Sequence, residues 1–219
     1  MIDDKDNALK IAEVLLKVKA VKLSPKSPFT WASGMKSPIY CDNRITLSFP
    51  KERTFIRQAL SNCILSRFGK PDLIVGVATG GIPQGVLIAQ DLGLPFVYVR
   101  SESKGHGLGN QIEGFYTSGQ EALVIEDLIS TGGSSLKAVN ALRAEGIIVK
   151  GLLATFTYGF DESIKNFKDA NCPFFTLTNY SSLIEKALLM KYIERSDLNE
   201  LQRWRTNPKD WLKNEIKEQ

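Results

Sequence analysis

The stretch from Val124 to Ser135, VIEDLISTGGSS, gathers most of the chemistry that this chain can offer. An apolar strand runs into two adjacent acids, Glu126 and Asp127. It ends in Ser130, Thr131, Gly132, Gly133 and Ser134, where a helix is due to begin. Gly132 and Gly133 let the backbone approach a bulky anion in conformations that side chains resist. The N–H groups of residues 130–134, with the positive end of the helix behind them, would cup a phosphate. The hydroxyls of Ser130, Thr131 and Ser134 add donors. Acids at the mouth of such a cup would repel a bare phosphate. They make sense if they accept the vicinal hydroxyls of a sugar or lie beside a hydrated metal ion. The stretch therefore suits a phosphorylated sugar, its phosphate in the glycine loop and its ribose diol on Glu126 and Asp127. The plain alternative is a strand with solvated acids and a glycine-rich turn. No Gly-Lys-Ser/Thr follows, so it is not a Walker A loop, and it is not the G-x-G-x-x-G of a dinucleotide fold.

Three other stretches could join it. Ala78-Thr79-Gly80-Gly81-Ile82 links an apolar strand to a helix, and its two glycines make a second backbone nest. Arg100 to Gly114, RSESKGHGLGNQIEG, combines Arg100, Lys104 and His106 with glycines at 105, 107, 109 and 114. A basic, glycine-rich segment of that length cannot pack a core; it suits a lid or a solvated loop. Its cations suit an anionic target, such as a departing diphosphate. Phe29 to Leu47 reads as short strands with a Ser33-Gly34 turn, and its Phe29–Arg44 part carries Trp31, Lys36, Tyr40 and Arg44. A flat, acidic heteroaromatic ring needs an apolar slot and donors for its carboxylate. For Trp31 ordinary core packing is the simpler reading.

The elements that must position these residues alternate. Asp72–Ala78, Pro95–Arg100, Ala122–Asp127 and Val149–Thr157 are continuous apolar runs, with Phe174–Thr178 a weaker fifth. Strands apolar on both faces belong to a buried parallel sheet. Helical segments lie between them at Pro83–Leu92 and from Ser134 to Glu145, the latter ended by Gly146. The pattern is an α/β fold with a mostly parallel central sheet flanked by helices. Ala8, Ile11, Ala12, Leu15 and Leu16 make one apolar stripe near the start, and Ile56, Ala59, Leu60, Cys63 and Ile64 another. Ser182 with Glu185 reads as a capping box starting a helix through about Lys191. Asn207-Pro208 is expected to open a last helix carrying Trp211 and Leu212. In such sheets ligands sit at the carboxyl ends of the strands, where the loops above lie.

Composition narrows the classes. The 219 residues carry 28 Lys+Arg against 24 Asp+Glu and a single His, a formal charge of +4. That is too mild for a nucleic-acid footprint without a clustered patch. With only His106, a Ser-His-Asp or multi-histidine metal site has little to work with. Cys41, Cys63 and Cys172 are scattered and odd in number, which excludes a disulfide framework. Free thiols, an acidic start and no apolar run near the roughly 20 residues of a membrane span point to the cytoplasm, with no secretion signal expected.

Together, VIEDLISTGGSS, FTWASGMKSPIYCDNR and RSESKGHGLGNQIEG resemble the type I phosphoribosyltransferases; the last two are similar to segments peculiar to the orotate-using branch. The resemblance runs from about Phe29 to Thr157. It implies one domain over residues 1–219, with a small N-terminal hood (about 1–47, plus the C-terminal helices) on a core at about 55–178. It implies transfer of the 5-phosphoribosyl group from 5-phosphoribosyl 1-diphosphate to N1 of orotate. The products would be orotidine 5′-phosphate and diphosphate, within de novo pyrimidine synthesis. Magnesium would travel with the diphosphate rather than occupy a metal site of the chain. Thr79, Gly80 and Gly81 would hold the diphosphate. The whole run from Glu126 to Ser134, Leu128 and Ile129 included, would bind the ribose phosphate, with Asp127 also catalytic. Tyr40 and Cys41 lie where the family contacts orotate. Arg100, Lys104 and His106 would form a catalytic lid reaching into the neighbouring site of a homodimer. No nucleic-acid or membrane partner is expected.

The chain departs from better-known relatives at four places: Gly80, Ala32 and Ser101 stand where some carry Lys, and Tyr158 where some carry an Arg on the orotate. Arg44 and Lys36 are the expected substitutes, from the charge of their own segment, and Ser130 is a further donor to the base. The other readings are a transferase for a purine or uracil, which would not need those two cations, and a regulator that binds the activated sugar without catalysis.

Overall fold

The computed structural model describes residues 2, 4–31, 34–100 and 111–211. Seven helices, α1 (Lys5–Lys17), α2 (Pro50–Arg67), α3 (Gly81–Leu92), α4 (Gly133–Ala144), α5 (Asp161–Asp169), α6 (Tyr180–Leu189) and α7 (Leu198–Thr206), pack around the strands in that part of the chain. Four short strands belong to the hood: β1 (Val21–Leu23), β2 (Phe29–Thr30), β3 (Lys36–Ser37) and β4 (Ile39–Cys41). Six build the central sheet: β5 (Leu73–Val77), β6 (Phe96–Val99), β7 (Ile112–Glu113), β8 (Glu121–Ile129), β9 (Ile148–Thr157) and β10 (Phe174–Asn179). Their order is β10-β9-β8-β5-β6-β7, parallel throughout except that β7 runs antiparallel to β6.

The apolar runs behave as expected. Leu73–Val77 is buried at every position, and so is β9 from Gly151 to its end. Such strands need helices on both faces. Ile11, Leu15, Ile56, Leu60, Ile64, Ile88 and Leu183 cover one face, from α1, α2, α3 and α6. Ala138, Val139 and Leu142 of α4 and Phe167 of α5 cover the other. All five residues of the first stripe are buried in α1, and all five of the second in α2.

Several element ends differ from the sequence reading. Strand β8 continues past Asp127 to Ile129, because the ladder with β9 runs on to Ile129 opposite Thr157. Helix α3 begins at Gly81, so part of its glycine pair lies inside the helix. The cap of α6 is Asn179, whose side chain accepts from Ser182 N at 2.9 Å; Ser182 is buried within the helix rather than capping it. Residues 208–211 form a turn, and the helix of this region is α7, which ends at Thr206 before Asn207-Pro208. Leu212 lies outside the described residues. Helix α5 was not foreseen: its nine residues hold only Ser163 and Phe167 inside, too few for a visible stripe.

Around the hood, β1 pairs antiparallel with β4, and β2 with β3 across a turn at Gly34, whose φ is 83°. A 3-10 turn, Asn43–Ser48, leads from β4 to α2. Among the described residues no helix is long and apolar enough to cross a membrane.

Candidate active site

The carboxyl ends of β5, β8 and β9 meet at one place, and the two acids stand there. Glu126 is only 5% exposed. Ser135 Oγ donates to its Oε2 at 3.1 Å, and the Asp127 N–H donates to its Oε1 at 3.1 Å. Solvated acids are therefore not what this strand carries. Burial, and then the neighbouring Asp127 charge, push the Glu126 carboxyl well above its ordinary range. Burial raises Asp127 as well, against the pull of its bonds and of Arg44. A buried carboxyl beside a half-buried one favours retaining a proton between them. The pair is set to receive hydroxyl donors or a cation.

The first glycine nest lies against this pair. A Cβ on Gly80 would collide with the Asp127 carboxylate, and one on Gly81 with the carbonyl of Ile125. Glycine at 80 and 81 is thus what lets the β5–α3 loop touch β8. This is a physical reason for the missing lysine: any side chain at 80 would displace Asp127. Thr79 is exposed at the outer side of that loop.

Downstream, Gly132 has φ 83° and a Cβ there would sit 2.6 Å from the Phe167 ring, so the turn into α4 calls for glycine. Helix α4 starts at Gly133, leaving the first-turn N–H groups of Gly133 and Ser134 without an i−4 carbonyl. Asn166 of α5 donates to Thr131 O at 3.0 Å and holds the loop from outside. Ser130 and Thr131 line a cavity of about 330 Å³. Leu128 and Ile129 lie in strand, not loop. The Ile129 side chain is buried, and its carbonyl accepts from Thr157 Oγ1 at 3.1 Å and Tyr158 N at 3.3 Å.

From the hood, Asn43 Nδ2 donates to Asp127 O at 2.7 Å, across 84 positions of sequence. This bond ties hood to acid pair, and neither Asn43 nor Ser135 was singled out in the sequence. Asn43 is the last residue but one of the Phe29–Arg44 segment, and Ser135 is the final letter of the central string. Tyr40 is 39% exposed, its ring 5.9 Å from Phe29. Cys41 is part-buried, its Sγ 3.5 Å from Asn43 Oδ1. Burial and the acids Asp127 and Asp42 push its thiol up, so it stays neutral.

Among the described residues, the expected cations Arg44, Lys36 and Arg100 each have a partner. Arg44 makes a two-pronged pair with Asp42, Nε to Oδ1 at 2.7 Å and Nη2 to Oδ2 at 2.9 Å. Lys36 Nζ donates to Thr30 Oγ1 at 2.8 Å on the exposed hairpin. Tyr158 is 2% exposed within an aromatic cluster of Trp31, Phe156, Phe160 and Trp204. Trp31 packs there too, its Nε1 donating to Ile39 O at 3.0 Å. Arg100 stands at the sheet edge: its N–H donates to Gln111 O at 2.9 Å and its Nη1 to Glu113 Oε1 at 3.2 Å. Residues 100 and 111 thus leave the sheet side by side. Lys104 and His106 lie outside the described residues.

A larger cavity, about 440 Å³, opens between α5, β10 and the start of α6, with mostly apolar walls. The ends of β9 and β10 and Arg205 line it, whereas neither the acid pair nor either glycine loop does.

Comparison with known proteins points the same way as the geometry. The phosphoribosyl transferase domain family matches residues 49–172. An orotate phosphoribosyltransferase of Bacteroides fragilis is 56% identical over 200 residues, 91% of this chain and 94% of that protein. Among solved structures, the orotate phosphoribosyltransferase of Aeropyrum pernix aligns with a TM-score of 0.74 at 28% identity, covering 84% of this chain and 99% of its own. The Mycobacterium tuberculosis orotate phosphoribosyltransferase in complex with 5-phospho-alpha-D-ribosyl 1-diphosphate shares the fold, at TM-score 0.64 and 21% identity over 81% of this chain and 98% of its own.

Proposed function

The chain belongs to the orotate branch of the phosphoribosyl transferase family, and from that premise we propose that it joins N1 of orotate to the anomeric carbon of 5-phosphoribosyl 1-diphosphate. The products are orotidine 5′-phosphate and diphosphate, a step of pyrimidine synthesis. One observation carries the reading: the Asp127 carboxylate lies against the Gly80 loop, just upstream of the turn into α4. A single substrate bearing a phosphate, a diol and a diphosphate spans those three features.

The ribose 5-phosphate sits on the loop from Ser130 to Ser134, just past Leu128 and Ile129 at the end of β8, held by N–H groups and hydroxyls. Its diol rests on Glu126 and Asp127. The diphosphate lies over Thr79, Gly80 and Gly81. Tyr40 and Cys41, with Lys36 and Arg44 at the rim, flank the base. As the C–O bond breaks, the ribose ring gains positive charge, and the Asp127 carboxylate stabilises it. Negative charge builds on the leaving group, where Arg100, Lys104 and His106 meet it and exclude water. No side-chain nucleophile is needed, and the part-buried, neutral Cys41 thiol is not one.

Magnesium fits the donor set: one or two carboxylates together with substrate oxygens are what this ion takes, and Asp127 with the diol and diphosphate would provide them. When bound, the ion neutralises the diphosphate and fixes its orientation. The reading further includes one domain over residues 1–219, a homodimer whose lid serves the neighbouring site, and a place in the cytoplasm.

A base screen tests this. Protein, magnesium and 5-phosphoribosyl 1-diphosphate are incubated with orotate, uracil, xanthine or adenine, and released diphosphate is counted. Release with orotate alone is expected; release with a neutral base instead would overturn the assignment.

A further inference from the structure

Arg205 lies on α7, in the C-terminal stretch where the sequence shows no motif. Its Nη2 donates to Gly159 O at 3.3 Å, across 46 positions. That bond holds the guanidinium beside the carboxyl end of β9. There Arg205 lines the 330 Å³ cavity together with Ser130, Thr131, Met35 and Phe160. The cavity thus opens against the loop read as holding the sugar, and Met35 of the hood hairpin lines it as well. Its size falls in the range of small-molecule sites.

The charges single out Arg205. Among the described residues no carboxylate pairs with it, whereas Arg44 is neutralised by Asp42 and Lys36 is turned to Thr30. Two acids also line the cavity. Glu162 faces Lys209 at 3.9 Å, and Asp161 is exposed at the first turn of α5. Neither occupies the guanidinium. The walls around it are mixed: the thioether of Met35 and the ring of Phe160 on one hand, the hydroxyls of Ser130 and Thr131 on the other. A flat ring bearing one anionic group matches that mixture. A guanidinium offers a planar fork that pairs with a carboxylate through two bonds.

We propose that Arg205 binds the carboxylate of the acidic base, and so sets the preference for orotate over uncharged pyrimidines. The role rests on the reading given under Proposed function. Position 158 at the end of β9 presents a buried tyrosine, and α7 brings the cation to the same strand end from a different part of the chain.

The test compares wild type with Arg205→Gln and Arg205→Lys in steady-state kinetics, orotate and 5-phosphoribosyl 1-diphosphate being varied separately, with thermal melting alongside. Arg205→Gln is expected to raise KM for orotate about 10- to 100-fold, the range of a lost charge-assisted hydrogen bond. KM for the activated sugar and the melting temperature stay near wild type. Arg205→Lys, which keeps the charge and loses the fork, falls between. The orotate-over-uracil ratio, read as competition by uracil, drops with the same order.

An unchanged KM for orotate in Arg205→Gln overturns the proposal, as does a rise confined to the activated sugar. An equal loss for every ligand with a lowered melting temperature, unrelieved in Arg205→Lys, shows a structural role only and overturns it as well. A wild-type enzyme that releases no diphosphate with orotate would instead sink the underlying reading.

Discussion

Glu126 is a carboxyl placed where a carboxylate is costly. Its proton is held more tightly in the folded chain than the ordinary value of 4.5 implies, because burial and Asp127 both oppose its charge. A raised acid pKa makes the folded state bind more protons than the unfolded one, so stability falls as pH rises above about 4.5. Glu126→Gln removes that burden. Its carboxamide oxygen can still accept from the Asp127 N–H, and its NH2 can donate to a turned Ser135 hydroxyl. The variant is expected to melt higher than wild type at pH 7, the gain shrinking to nothing below about pH 4. It should also show a raised KM for 5-phosphoribosyl 1-diphosphate. Melting curves across pH with kinetics at pH 7 check both; a variant that melts lower at pH 7 contradicts the account. The acid pair was legible in the sequence because two adjacent acids after an apolar run are conspicuous. Their burial was not, since it depends on which loops pack over them.

At the scale of elements, α7 does more than fill space. Trp204 is fully buried, and its ring lies 5.9 Å from Trp31 of the hood, 5.7 Å from Tyr158, 5.6 Å from Phe160 and 5.5 Å from Tyr180. One side chain therefore joins hood, the end of β9 and the start of α6. Trp204→Ala leaves a cavity at that junction, and the expected cost is about 3–5 kcal/mol. Urea unfolding measures it; a loss under about 1 kcal/mol would mean the cluster repacks. The β5, β6, β8 and β9 strands were readable because apolar β-branched runs persist through each. Short strands about a turn were expected between Phe29 and Leu47, where β2, β3 and β4 form, but β1, α5 and α7 were not foreseen. Elements that short have no periodicity of their own and are fixed by what they rest on.

For the molecule as a whole, a lid that serves a neighbouring site would make each site the work of two copies. If Lys104 serves the neighbouring site, Lys104→Ala and Asp127→Asn damage different halves of each shared site. Either variant alone is expected to lose about 100- to 1000-fold in turnover. Mixed and allowed to exchange subunits, they form hybrids in which one site is fully native, so activity returns. A mixture no more active than its parts would mean that the lid closes over its own subunit or that copies do not pair.

The chain's letters alone marked out one contiguous candidate for the site. The strand, the acids and the glycine turn are contiguous, so local spacing carries their meaning. Tertiary structure alone decided which distant residues complete the site. Asn43 reaches Asp127 across 84 positions, Arg205 reaches Gly159 across 46, and Gly80 is pressed against Asp127. Those meetings follow from strand order and from the crossings of helices over the sheet. No window of sequence contains them, because each contact is fixed by the packing of elements rather than by the residues between.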